Sequence, residues 1–146
     1  MSLPFHESLR RLLRLRQSLE RQEEMKLSLA AARLHAARAG LEQARAAGQQ
    51  QQQAMRIALT DQLSGAELQV AVLQRQADAE REQRLQAHMA AMQSAHADQT
   101  DVLLGRTRDR KILDLLQAHC QKIERRNQLR REQAALDEAF LLGKQK

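Results

Sequence analysis

The chain has 146 residues, with two Phe, no Tyr, no Trp and 29% charged residues. That composition excludes a core built on aromatic side chains and fits long helices and coiled coils, because Ala, Leu, Gln, Glu and Arg are all strong helix formers. The formal net charge of +6 is unevenly spread. Residues 1–38 hold eight Lys/Arg and four Asp/Glu (net +4), residues 39–101 five and eight (net −3), and residues 102–146 eleven and six (net +5).

The lone cysteine, Cys120, has no partner for an intrachain disulfide and fits a reducing cytoplasm. Arg10, Arg11, Arg14 and Arg16 interrupt the apolar run that a signal peptide needs. No stretch of about 18 apolar residues exists to span a bilayer, so membrane contact is expected to be peripheral or through a partner.

A first helix is expected over about residues 4–62, with Pro4 in its opening turn, where a missing N–H costs nothing. Phe5, Leu9, Leu12, Arg16 and Leu19 form its apolar rhythm, continued by Leu27, Ala30, Leu34, Ala37, Leu41 and Ala44, with a one-residue drift between Leu19 and Leu27. Met55, Leu59 and Leu63 carry the stripe onward. A turn is expected over about 60–66. There Ser64-Gly65-Ala66-Glu67 reads as a capping box, in which Ser64 accepts from a first-turn N–H and Glu67 reaches back to the cap. A second helix is expected over about 66–142, with Leu68, Val72, Leu85, Met89, Met92, Ala95, Val102, Leu103, Leu113, Leu116, Cys120, Ile123, Leu129, Leu136 and Phe140 as its stripe. Gln76 to Arg84 is weakly apolar, so pairing there is expected to be loose. At 1.5 Å per residue the arms span about 90 and 115 Å, so a dozen or more residues of helix two are expected to project past helix one. The expected fold is all-α: a single monomeric antiparallel two-helix coiled coil over residues 1–146, with a thin, Ala-rich seam.

No GxxxxGK[ST], HExxH or GxSxG pattern occurs, and no catalytic residues, cofactor or metal site are expected. His88 and His96 lie about 80° apart on a helix, too far round to share a metal. Glu20, Glu23 and Glu24 lie near Arg16 and Arg21 and read as exposed helical ion pairs. The expectation is a non-enzymatic protein.

The basic ends carry the functional signal. Residues 106–131 alone hold nine Lys/Arg against three Asp/Glu, and a hairpin brings them beside Arg10, Arg11, Arg14 and Arg16. Leu12, Leu13 and Leu15 point to more than one face, so a two-helix seam leaves some of them for a partner. Two readings follow. One is an interaction rod whose basic, leucine-bearing end docks into a protein assembly. The alternative is a basic coiled coil that binds anionic surfaces, nucleic acid or membrane. Against nucleic acid, no base-reading set accompanies the charges. Against membrane, Trp is absent and Phe occurs only at the extremes.

The opening Phe5…Leu9-Arg10-Arg11-Leu12-Leu13-Arg14-Leu15-Arg16…Glu20…Glu23-Glu24 resembles the start of the FliJ family of flagellar export stalk proteins. Arg108-Asp109-Arg110-Lys111-Ile112-Leu113 and Arg130-Arg131-Glu132-Gln133-Ala134-Ala135-Leu136-Asp137-Glu138 resemble its C-terminal end, and the YscO-type injectisome stalk is a close relative. The resemblance implies an antiparallel coiled coil, cytoplasmic and peripheral at the inner face of the cell membrane at the flagellar base. It implies three partners: the hexameric export ATPase ring, the cytoplasmic domain of the export gate, and export chaperones. On that basis Arg10, Arg11, Arg14, Arg110, Lys111, Arg125 and Arg126, with Leu12, Leu13 and Leu116 as apolar anchors, are candidates for ring binding. Leu41, Leu68 and Val72 are candidates for the gate contact, in a region where the family often carries aromatic residues.

Overall fold

The computed structural model describes residues 3–145. The fold is all-α. Helix α1 (Leu3–Thr60) and helix α2 (Gly65–Lys144) pack against each other as an antiparallel hairpin, with no strand among the described residues. Residues 61–64 make the connection, inside the stretch expected from sequence. Its chemistry is the expected capping box: Glu67 N–H donates to Ser64 Oγ at 3.3 Å, and Ser64 N–H donates to the Glu67 carboxylate at 3.3 Å. Leu68 N–H adds a backbone bond to the Ser64 carbonyl at 3.1 Å. These bonds satisfy donors that a helix start leaves without intrahelical partners. On the other side, Asp61 N–H donates to the Ala58 carbonyl and Thr60 Oγ1 to that of Ile57, closing α1 with a tightened last turn.

The hairpin divides into two compact units, a terminal unit of Met1–Glu23 with Leu103–Lys146 and a turn-containing unit of Glu24–Val102. In the terminal unit, the buried and half-buried positions of α1 are His6, Leu9, Leu13, Arg16, Glu20 and Glu23, spaced alternately three and four apart, with Leu19 of the expected stripe half-buried beside them. Those of α2 include Leu103, Arg106, Arg110, Leu113, Gln117 and Cys120 at the same spacing. Such a strict seven-residue repeat is kept on one face by the under-winding of a left-handed coiled coil. His6 lies 3.4 Å from Glu124, and Arg110 binds Glu20. Counting along the repeat between those pairs sets Leu9 level with Cys120, Leu13 with Gln117 and Arg16 with Leu113.

This seam corrects the expected stripe. Phe5 and Leu12 are exposed, and the expected drift after Leu19 is absent. Polar His6, Glu20 and Glu23 occupy seam positions instead, because α2 supplies polar partners for them, as Glu20 shows. Glu20 and Glu23, expected to be exposed, are therefore buried. On α2, Val72, Ala95, Val102, Leu116, Leu129, Leu136 and Phe140 are likewise exposed, while Gln117 and Arg110 turn inward.

In the turn-containing unit, Leu27, Ala30, Leu34, Ala37, Leu41, Ala44 and Gly48 continue the spacing along α1, and Leu34, Ala37 and Leu41 are its buried apolar side chains. Nearer the turn the seam opens into a cavity of about 810 Å³, with Ala44, Gly48, Gln51 and Met55 on one wall and Ala71, Asp78 and Glu82 on the other. Small and polar side chains cannot fill this layer, which matches the weak apolar patterning of Gln76 to Arg84. Arg45 and Glu82 meet at 2.9 Å along its edge.

Two outcomes test this architecture. Replacing Leu9 by Cys should give an intrachain disulfide with Cys120 on mild oxidation, seen as a faster-migrating monomer on a non-reducing gel; a disulfide-linked dimer would contradict the hairpin register. Ser64→Ala should cost about 1 kcal/mol of stability in urea unfolding, as loss of an N-cap does.

Candidate docking surface on the terminal unit

The terminal unit carries sixteen Lys/Arg and nine Asp/Glu, net +7, whereas the turn-containing unit carries eight and nine, net −1. What decides the character of the terminal unit is where its carboxylates go. Asp109 pairs with Arg16 at 3.3 Å, Asp114 with Arg110 at 2.6 Å and Glu124 with His6 at 3.4 Å. Those are all the carboxylates of α2 between Leu103 and Arg126. Each sits at the seam or on its flank, so the side of α2 turned away from α1 carries no carboxylate over that stretch.

The core of the unit is a polar knot. The Glu20 carboxylate accepts from Thr107 Oγ1 at 2.9 Å and from Arg110 Nε, while Arg110 Nη1 also donates to Asp114. The Arg110 hydrogen bond holds the Glu20 carboxyl below its ordinary range, with Thr107 adding to the effect against the opposing cost of burial. The same bond raises the Arg110 guanidinium above its ordinary range.

This geometry sorts the ring-binding candidates. Arg10, Arg11, Leu12 and Arg14 on α1 and Lys111, Leu116, Arg125 and Arg126 on α2 are exposed. Arg11 pairs with Glu7 one turn away at 2.7 Å on the open surface, an interaction that water largely screens. Lys111 and Arg125 stand two heptads apart, so they share one face, and the register brings Leu116 level with the segment that holds Leu12. Two candidates are corrected. Leu13 is only 6% exposed, a seam residue beside Gln117, and Arg110 is committed to Glu20 and Asp114. Neither offers a free side chain to a partner. Which of Leu12, Leu13 and Leu15 faces inward depends on the phase of the repeat, and polar seam residues set that phase.

The gate-contact candidates lie in the other unit. Leu41 is 3% exposed and belongs to the seam, so it is removed from any surface role. Leu68 and Val72 are exposed just after the turn, and Ile57, Leu59, Val70 and Leu73 are exposed there too. Sequence reasoning placed Leu59 in the seam and passed over Ile57 and Val70; a strict heptad count from Leu41 puts Ile57 and Leu59 outside it, and one from Leu103 does the same for Val70. Among the described residues, no group of three His, Cys, Asp or Glu is placed to hold a metal ion, and no helix is long and apolar enough to cross a membrane. Compared with protein-family models, curated proteins and solved structures, the chain matches none.

The polar knot makes the terminal unit acid-sensitive. Because the folded pKa of Glu20 is depressed, its stabilising contribution is complete above the ordinary carboxyl value of 4.5 and is lost as pH falls through the lower folded value. Glu20→Gln should therefore lower the melting temperature near pH 7 and flatten its decline below about pH 4.5. Circular-dichroism melts across that range would check this; parallel acid limbs for the two proteins would contradict it.

Proposed function

We propose that this chain is a non-enzymatic central stalk of a bacterial type III protein export apparatus, of flagellar type. In this reading it binds the export ATPase ring through its terminal unit and promotes the assembly and activity of the ring. It also links the ring to the cytoplasmic domain of the export gate and to export chaperones. It works in the cytoplasm, peripheral to the inner face of the cell membrane at the flagellar base.

The observation that carries the reading is the segregation of charge and exposed leucine. The terminal unit has net +7 with Leu12, Leu15 and Leu116 open to solvent, while the turn-containing unit has net −1. The resemblance of residues 5–24, 108–113 and 130–138 to the FliJ family supports the identity of the partner. In a docked complex the cations orient the encounter and the leucines supply burial. Leu68 and Val72, exposed near the turn, remain the candidates for the gate contact.

A chain of this kind acts on nucleotide hydrolysis by binding some conformations of the ring better than others, since a ligand shifts an equilibrium only by its differential affinity. Favouring the assembled or closed ring raises turnover without chemistry on the stalk itself. Two helices cannot meet six subunits identically, so coupling proceeds sequentially around the ring.

The test is the ATPase rate as a function of enzyme concentration, with and without the chain. Stimulation is expected to be largest where the ring alone is poorly assembled. R10A/R11A/R14A is expected to raise the half-maximal stalk concentration roughly tenfold, equivalent to ~1.4 kcal/mol, whereas L68A/V72A leaves it unchanged. Equal loss from both sets would contradict the assignment. Unchanged assembly and turnover, with salt-sensitive binding to DNA or anionic vesicles instead, would replace it with the anionic-surface reading.

A further inference from the structure

The outer side of α2 in the terminal unit carries a second apolar stripe that α1 never touches. Leu115, Leu129 and Leu136 occur at intervals of fourteen and seven residues, and Ile112 and Phe140 flank them at heptad positions of the same outer side. All five are well exposed, with Leu115 at 71%, Leu129 at 64%, Leu136 at 70% and Phe140 at 65%. Every described residue from Glu124 onward is exposed, so the last part of the stripe has water on all sides. Exposed leucine at seven-residue spacing is the pattern by which one helix receives another.

The charges beside the stripe say what kind of helix fits. Arg108, Lys111, Lys122, Arg125 and Arg126 share this outer side, and no carboxylate does between Arg108 and Arg126. The three acidic residues of that stretch lie at the seam or on its flanks, where Asp109 pairs with Arg16, Asp114 with Arg110, and Glu124 stands 3.4 Å from the His6 imidazole. We infer that the outer side of α2 from Arg108 to Phe140 is a docking strip for an acidic amphipathic helix of a partner protein, which would lie along α2 as a third helix. Its apolar stripe would cover Leu115, Leu129, Leu136 and Phe140, and its flanking carboxylates would meet the Lys/Arg row.

Other occupants fit less well. A second copy of this chain would bring two surfaces of net +7 together. A lipid surface would find no Trp or Tyr on the strip to seat among its headgroups. The inference does not rest on the stalk reading, since any partner with such a helix satisfies it, and the variant chosen below leaves Arg10, Arg14 and Leu12 intact.

The probe is a dye-labelled synthetic helix of about eight turns, with Leu at its a and d positions and Glu at the flanking ones. Its binding to the full chain is read by fluorescence anisotropy. The Glu/Leu peptide should bind, and added salt should weaken it. A matched Lys/Leu peptide and a Glu/Gln peptide should each bind at least about tenfold more weakly. The variant L115Q/L129Q/L136Q, with unchanged helicity by circular dichroism, should lose about tenfold or more. Because all three side chains are exposed, the fold is expected to survive; R108E/K122E is a second variant that removes charge alone and should give a comparable loss. Equal binding of the Glu/Leu and Glu/Gln peptides, or no effect of either variant, would overturn the inference. So would tighter association with phosphatidylserine-containing vesicles than with the peptide. Sedimentation showing a dimer that L115Q/L129Q/L136Q abolishes would assign the strip to a second copy instead.

Discussion

The contact on which the terminal unit depends is the one between Glu20 and the pair Thr107 and Arg110. The apolar burial around it is slight, with Leu9, Leu13 and Cys120 the only buried apolar side chains described in that unit. A two-helix seam of this kind can slide by a heptad at small apolar cost, because every seven-residue shift restores the same face. The polar layer breaks that degeneracy. A slip of one heptad on α2 sets Glu20 opposite Leu103 or Gln117 and takes its carboxylate away from both donors. A carboxylate withdrawn from water without its partners is costly, so the alignment is chosen by hydrogen-bond chemistry more than by leucine. The neighbouring pairs, Arg16 with Asp109 and His6 with Glu124, fit the same register.

That choice determines what the surface looks like. Once His6, Glu20 and Glu23 hold seam positions, a corresponding number of apolar residues must face water. Phe5, Leu12 and Leu15 on α1 and Ile112, Leu115 and Leu116 on α2 are the result. Asp109, Asp114 and Glu124 meanwhile lie at the seam or on its solvent-exposed flanks, so the side of α2 turned away from α1 carries no carboxylate between Arg108 and Arg126. A polar seam and a cationic, leucine-bearing exterior are therefore two sides of one arrangement. In the turn-containing unit the balance differs: Gly48, Gln51 and Asp78 face a cavity, with the Arg45–Glu82 ion pair at its edge. The unfilled layer around that cavity favours local opening, while the terminal unit is pinned by the Glu20–Arg110 and Arg16–Asp109 pairs.

The elements that were legible from sequence are those encoded locally. Ser64 and Glu67 are three residues apart, and their reciprocal bonds form as the spacing dictates. The hairpin and its turn followed from composition and one cap. The charge segregation was legible too, because formal charges are counted and need no rotation angle. The phase of the seam was not. Choosing between Phe5-Leu12-Leu19 and His6-Leu13-Glu20 by hydropathy favours the first set, and the second wins only because Arg110 waits for Glu20 ninety residues away. That single-step rotation also explains why Leu13 became a seam residue and Leu12 a surface one, whereas Leu41 lay in the expected stripe from the start and is buried there.

The same reasoning separates two roles for arginine within one short stretch. Arg110 is held in a fork by Glu20 and Asp114, and its charge is spent inside the fold. Lys111, the next residue, is exposed and forms no ion pair among the described residues. A rotation of about 100° on the helix thus divides a residue that fixes the alignment from one available to a partner. Because the two roles alternate with the heptad, they cannot be changed independently. An alteration that frees Arg110 for docking also releases the Glu20 carboxylate, loosens the register and moves every neighbouring cation relative to α1. Affinity for a partner and internal alignment are therefore coupled through the seam, and a partner that recognises cations of both helices together, such as Arg14 with Lys111, also selects the registered hairpin.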